Sequence, residues 1–319
     1  MRFADSSISS AFGFLSSNLA HIESEVYAVE YPEYKYSKFV PIDDTAPAYS
    51  PQVVRRVIDY RGGLKPRSPY GTDVPTSDVA QKAEFKDIHT FQNGYQFTIE
   101  ELEQARLGMV TLDTERAQAV RATSEASTNQ IMLLGALKDD DGVTDLALVG
   151  EGLFTSPSVP VSTSAGKIEE IVSAGGEKMA QAVLNVFNAA YNSVYLDQTK
   201  TVHKPNTFAM PSSTLRLLGS TLLGPNNGSN FTLLQFLKAN YPDVDFDDDI
   251  QLEHAGTAGA RRMICYKKDK RIVRGHMPMP LTFQAIEGPN NMAFYVPAMC
   301  RTGGVEWRVP KAANYVDGI

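Results

Sequence analysis

The most chemically suggestive stretch of this sequence is a run of carboxylates. Asp243, Asp245, Asp247, Asp248 and Asp249 crowd together, and hard cations favour clustered oxygen ligands. Asp243, Asp245 and Asp247 are the candidate metal ligands. The run lacks the glycine turn and distal glutamate of a calcium loop, so its plainer reading is a solvated acidic loop. The triplet Asp139, Asp140 and Asp141 has the same weakness. His21, His89, His203, His254 and His276 are scattered, and none stands three or four residues from another histidine or a cysteine, as a helix-borne zinc site requires. Gly166 and Lys167 are the nearest approach to a phosphate loop, without the upstream glycine or the following hydroxyl. Dinucleotide turns and nucleophile elbows are absent. No catalytic, cofactor-binding or metal residue is assigned, and no enzyme activity or cofactor is expected.

A second constellation suits contact rather than catalysis. Between 55 and 67 the chain carries Arg55, Arg56, Arg61, Lys65 and Arg67 against the single acid Asp59, although the whole chain is acidic. Such a segment is either a solvated loop or a cationic finger that docks on an acidic neighbour. Upstream, Tyr31, Tyr34 and Tyr36 belong to an aromatic series punctuated by Pro32 and Pro41. Extended segments of this kind cannot fold alone and need a surface to lie on. These eight residues are the candidate intersubunit contacts.

Composition narrows the class. The chain has 319 residues, 43% of them hydrophobic, enough to bury one large core or two. With 37 acidic and 30 basic residues the formal charge is −7, which argues against a dedicated nucleic-acid binder. Cys265 and Cys300 sit on strand-like runs, where a thiol packs, consistent with a reducing cytoplasm. No stretch has signal-peptide character or membrane-spanning length. The sequons at Asn227 and Asn230 are therefore expected to stay unmodified.

The elements that must position these residues alternate. Residues 1–47 read as an extended arm. Two strand-like runs, 51–60 and 79–91, flank the Gly/Pro-rich RGGLKPRSPYGTDVP and form a long hairpin. Thr98 with Glu101 three residues on makes a capping box for a short helix ending at Gly108. A longer helix is predicted over about 112–134, with Leu112, Ala119, Ala122, Ala126 and Leu133 on one stripe. Residues 138–161 are a loop with Gly150, Gly152, Pro157 and Pro160. An amphipathic helix over 175–195 buries Met179, Val183, Val186, Phe187, Ala190 and Val194. Then NTFAMP is a buried strand leading into a helix 212–218 capped by Ser212, and Asn230 precedes another short helix. Strand-like runs at 250–252, 262–266, 271–273, 282–286, 292–299 and 305–309 complete an α+β chain with a largely antiparallel sheet.

This order of pieces, with YQFTIEELEQA, NQIMLLG, GLFTSP, NTFAMPSSTLRLL and the terminal RTGGVEWRVPKAANYVDGI, resembles the major capsid proteins of tailed bacteriophages with the Hong Kong 97-like fold. The resemblance implies an arm (1–47), an extended loop with its return strand (48–91) lying across an adjacent subunit, and a peripheral domain (92–165) holding the long spine helix. It further implies an axial domain (166–280) at pentamer and hexamer centres, and C-terminal strands (281–319) returning to the peripheral domain. It also implies self-assembly into an icosahedral virion shell around double-stranded DNA, in a bacterial cytoplasm and without a membrane. The expected partners are further copies, a scaffolding protein, a portal protein, a decoration protein, and packaged DNA held only weakly. The arm begins almost at Met1, so a separate scaffolding protein is expected rather than a cleaved leader. Lys65 lies near the loop tip, but no Asn and Glu constellation accompanies it for the covalent crosslinking of some relatives. The rival within this architecture is an encapsulin-type nanocompartment shell protein.

Overall fold

A computed structural model describes residues 34–66, 75–98, 100–101, 112–138, 145–176, 178–223, 231–290 and 293–319. The first turn, α1 (Tyr36–Phe39), feeds the short strand β1 (Ile42–Asp43). Strands β2 (Gln52–Arg61) and β3 (Asp78–Asp87) form the long hairpin, and after Ile88 the chain continues as β4 (His89–Thr98). Helix α2 (Leu112–Leu134) follows, then β5 (Ala136–Lys138), β6 (Asp145–Leu148) and β7 (Val161–Thr163). Helices α3 (Ile168–Ala174) and α4 (Met179–Asn192) lead through a π turn at Ser193–Gln198 to β8 (Thr207–Pro211). Next come α5 (Ser212–Ser220), α6 (Leu233–Asn240), β9 (Asp245–Asp249) and β10 (Arg262–Tyr266). The remaining strands are β11 (Val273–His276), β12 (Met279–Phe283), β13 (Glu287–Asn290), β14 (Ala293–Thr302), β15 (Gly304–Trp307) and β16 (Ala313–Asp317).

A five-stranded sheet in the order β7-β16-β10-β8-β9 divides two hydrophobic cores. Ala209, Ile264, Tyr266, Ala313 and Tyr315 point into one, with Phe39, Met132, Leu133, Phe154 and Trp307. Phe208, Met210, Met263, Cys265 and Val316 point into the other, with Val183, Phe187, Leu218, Leu233 and Leu237 from the helices. Both faces are covered, which is why NTFAMP and RMICY read as continuous runs rather than alternating ones. The sheet is mixed rather than largely antiparallel: its outer pairs, β7 with β16 and β8 with β9, are parallel. One buried ion pair ties it to the chain ahead of it. Arg262 donates to both carboxylate oxygens of Asp317 at 2.6 and 2.9 Å and to the Phe154 carbonyl at 2.7 Å. Its guanidinium lies 4.5 Å from the centre of the Tyr315 ring.

The end of α2 explains two sequence motifs together. The last carbonyls of a helix have no partner within it. Here the amides of Leu153 and Phe154 donate to the carbonyls of Met132 and Leu133 at 3.0 and 2.9 Å, and the Thr155 hydroxyl donates to Leu134 at 2.6 Å. NQIMLLG and GLFTSP are thus two halves of one cap. Gly135 has φ of +75°, and a Cβ there would stand 2.4 Å from the Gly150 carbonyl oxygen; only glycine fits.

Beyond the sheet, β14 pairs with all ten residues of β4 on one side and with β12 and β13 on the other. Helix α2 crosses this second sheet, but not on the alanine stripe. Of that stripe Ala119 is exposed, Ala122 and Ala126 are half-buried and Leu133 is buried in the first core, while Val120, Ser124 and Ile131 are buried beside it. The Asn93 side chain on β4 donates to the hydroxyls of Thr123 and Ser124, both at 3.0 Å, so the seam is polar. The side chain of Leu112 lies outside the described residues.

Several local expectations shift. The run Ile250–Leu252 is not a strand but part of a 3-10 turn, Ile250–Glu253. Ser212 does not cap α5; the Glu253 carboxylate accepts from the Ser213 amide at 2.9 Å instead. Thr232 caps α6 in a reciprocal box with Gln235. Asn230, Asn227 and Asp139–Asp141 lie outside the described residues. The box at Thr98 and Glu101 forms, at 3.1 and 3.3 Å, and the helix body after it lies outside the description. Among the described residues no helix is long and apolar enough to cross a membrane.

Candidate assembly interface

The β2–β3 hairpin pairs ten residues with ten, and none of the twenty is buried. Side chains alternate faces along a strand, and directly paired residues share a face. The register therefore sorts the hairpin into two surfaces. One carries the pairs Gln52 with Asp87, Val54 with Phe85, Arg56 with Ala83, Ile58 with Gln81, and Tyr60 with Val79. The other carries Val53 with Lys86, Arg55 with Glu84, Val57 with Lys82, Asp59 with Ala80, and Arg61 with Asp78. Beyond Gln52 and Asp87 at its base, the first is apolar apart from Arg56 and Gln81; the second is charged. On the apolar face Val54, Ile58, Tyr60, Val79 and Phe85 are 54, 52, 83, 46 and 64% exposed.

The charged face is used at its base. In the three-stranded sheet β1-β11-β15, Val273, Val305 and Trp307 turn into the core, leaving Asp43, Arg274, His276 and Glu306 on the opposite side. Glu306 is the hub. His276 Nε2 lies 3.0 Å from it, Arg274 and Arg308 each 3.4 Å, and Arg55 from the hairpin 3.5 Å. Arg55 also pairs with Glu84, and Arg274 with Asp43. Burial pushes the Glu306 carboxyl up, but the His276 hydrogen bond and the Arg55 and Arg274 charges outweigh it and hold it below its ordinary range. Asp43 behaves alike: burial is outweighed by hydrogen bonds from Thr45 and by Arg274. Burial lowers the Lys86 ammonium, with Glu151 and Glu306 opposing.

This geometry separates the basic candidates. Arg55 is mostly buried and engaged by its own subunit. Arg61 lies 3.4 Å from Asp59 on the same hairpin, both well exposed. Arg56 is exposed on the apolar face, and among the described residues no carboxylate pairs with it. Lys65 is exposed beyond the strand end; Arg67 and Tyr31 lie outside the described residues. Tyr34 is half-buried. Tyr36 is half-buried against its own core, and its amide donates to Asn129 at 3.1 Å.

The sequence profile of the Major capsid protein family matches residues 67–319. The chain belongs to that family. Its structure is similar to the capsid of Myoviridae phage XM1, with a TM-score of 0.80 at 18% identity over 96% of this chain and 98% of that one. It also resembles a structure from Gordonia phage Cozz, TM-score 0.61 at 13% identity over 94% and 91%. A third likeness is the virus-like particle from Pyrococcus furiosus, TM-score 0.52 at 12% identity over 88% and 91%. No curated protein sequence matches the chain. The Hong Kong 97-like capsid fold expected from the motifs stands. The chain is a major capsid protein, a structural subunit that associates with copies of itself in a virion.

In this capsid protein the acidic run is a strand, not a loop. Asp245–Asp249 is β9, paired in parallel with β8. Lysines meet its carboxylates: Lys35 with Asp248 at 3.0 Å, Lys38 with Asp247 at 2.5 Å, and Lys204 with Asp243 at 2.7 Å just ahead of the strand. The Lys204 hydrogen bond holds Asp243 below its ordinary range. A 420 Å³ groove beside β9 is lined by Lys38, Lys238, Lys268, Asp245 and Asp247, of mixed charge. Among the described residues no three His, Cys, Asp or Glu side chains are placed to hold a metal. Cys265 is fully buried, which pushes its thiol up, and Cys300 is half-buried.

Proposed function

We propose that this capsid protein assembles as pentamers and hexamers into the icosahedral head of a tailed bacteriophage, enclosing double-stranded DNA and catalysing no reaction. The observation that carries this reading is the β2–β3 hairpin. Two strands make no core of their own, and the five large apolar residues exposed on one of its faces need a surface that another subunit supplies. In the proposed subunit, residues 1–47 are the arm and 48–91 the extended loop laid across a neighbour. Residues 92–165 and 281–319 make the peripheral domain, and 166–280 the axial domain at the symmetry centres. Arg56, Lys65, Arg67, Tyr31 and Tyr34 are proposed as intersubunit contacts, while Arg61 is matched by Asp59 on the charged face. The net charge of −7 suits a container whose wall holds DNA only weakly and non-specifically. A separate scaffolding protein, a portal and a decoration protein are the proposed partners.

Negative-stain electron microscopy of the recombinant protein, alone and with a scaffolding protein, tests this. Closed shells or flat hexameric sheets are expected. A stable, dispersed monomer under both conditions overturns the proposal.

A further inference from the structure

We infer that the hairpin meets a second copy of this chain through its apolar face, Val54, Ile58, Tyr60, Val79 and Phe85 around Arg56, and not through its basic face. This rests on the shell reading above and specifies its contact.

Three observations lead there. The two faces differ in what already covers them. The charged face is docked at its base on Glu306, and further out its charges are matched within the hairpin, Lys82 by Glu84 at 3.2 Å and Arg61 by Asp59 at 3.4 Å. That face has little unbalanced charge left to offer. On the apolar face, beyond the Gln52–Asp87 hydrogen bond at its base, no such match occurs among the described residues, and every large apolar side chain along it is roughly half exposed or more. Contiguous exposed apolar surface of this sort, on the order of several hundred Å², marks a contact site rather than ordinary surface.

Arg56 identifies the occupant. Asp87, at the base of that face, accepts from the Gln52 side-chain amide at 2.7 Å, so Arg56 is the single charged residue within the apolar stretch beyond it. Covering the face desolvates the guanidinium, which costs free energy unless the covering surface supplies a carboxylate. A purely apolar occupant such as a lipid tail fails this requirement. A second copy meets it: the chain carries 37 acidic residues against 30 basic ones, and its family assembles from copies of itself. The covering patch is thus apolar with an acidic member, the reverse of the purely acidic dock that the count of basic residues suggests.

Thiol labelling separates the faces. In a Cys300→Ser background, where the remaining Cys265 is fully buried, the variants Ile58→Cys and Asp59→Cys place one thiol on each face of the same strand. Both are exposed in the free subunit to a maleimide. The expected result in purified shells is loss of labelling for Ile58→Cys and unchanged labelling for Asp59→Cys. Equal labelling of both in shells, equal protection of both, or protection of Asp59→Cys alone overturns the inference while leaving the shell reading intact. Should either variant fail to assemble, the unsubstituted protein gives the same comparison: hydroxyl-radical oxidation of Tyr60 falls on assembly, and acylation of Lys82 does not. Persisting oxidation of Tyr60 in shells overturns the inference. Absence of any shell from the unsubstituted protein overturns both readings together.

Discussion

Strand β10 has no exposed residue along Arg262–Tyr266, and strand β2 has no buried one along Gln52–Arg61. Both are regular strands, fully paired over their length. They differ in what lies above and below. Helices α4, α5 and α6 and the α2 cap cover the two faces around β10, so the sheet is complete within one chain. Among the described residues, the hairpin receives cover from its own chain near Arg55 and Lys86. One region is finished by its own sequence, and the other, on the proposed reading, is completed by a partner. Substitutions in the first should therefore be read in subunit stability, and substitutions in the second in assembly.

The largest effect is expected at Arg262. Arg262→Ala leaves Asp317 ionised and buried without its guanidinium, and removing one member of a buried pair costs about 3–5 kcal/mol. Chemical denaturation of the free subunit should show this loss; a change near zero would mean that the sheet does not depend on its central pair. Glu306→Gln is next. It removes the charge shared by Arg55, Arg274 and His276, at about 2–3 kcal/mol for charged hydrogen bonds. Its pH signature has a definite sign. Glu306 and Asp43 titrate below their ordinary values of 4.5 and 3.8, so their stabilisation is complete above those values. It disappears as the pH falls through the lower folded ones. The unsubstituted subunit should lose stability faster than Glu306→Gln as the pH drops below about 4.5. Parallel curves would remove the hub from the account. The smallest effect on the free subunit is expected from Val54→Thr with Ile58→Thr, within about 0.5 kcal/mol because both are exposed and threonine suits a strand. Sedimentation should nevertheless show fewer shells. A large stability loss there would mean that the hairpin is covered by its own chain after all.

How far the sequence revealed this depends on whether an element is defined by its own residues or by what it meets. Helix α2 ends where Gly135 follows a helical run, and β8 and β10 match runs of apolar residues; these were legible because burial writes itself locally. From sequence alone the acidic run reads as a loop because aspartate is depleted in strands. Its strand identity comes from pairing with β8 and from Lys35, which arrives from 213 residues away. The hub around Glu306 was likewise hidden, since Arg274 and Asp43 are 231 residues apart. On α2 the predicted stripe holds at Leu133 and departs at Ala119, where Asn93 takes hydroxyl partners on a neighbouring stripe. In the hairpin the signal was present: counted by alternation, Val54, Ile58 and Tyr60 fall together and leave Arg56 alone among them. Counting charges without regard to face concealed it.

The contrast between hairpin and sheet also sets an order in time. Strands β2 and β3 are near neighbours in sequence, and such a ribbon can zip within about 1–10 μs. The five-stranded sheet joins β16 to β7 and β10, and β10 to β8, across long intervening stretches, a topology that folds in milliseconds to seconds. A chain that closes the ribbon on this timescale, even transiently, exposes it before the body that should aim it exists. During that interval, encounters between chains yield aggregates rather than lattice contacts, so slowing synthesis or shielding the ribbon should raise the yield of correctly built heads.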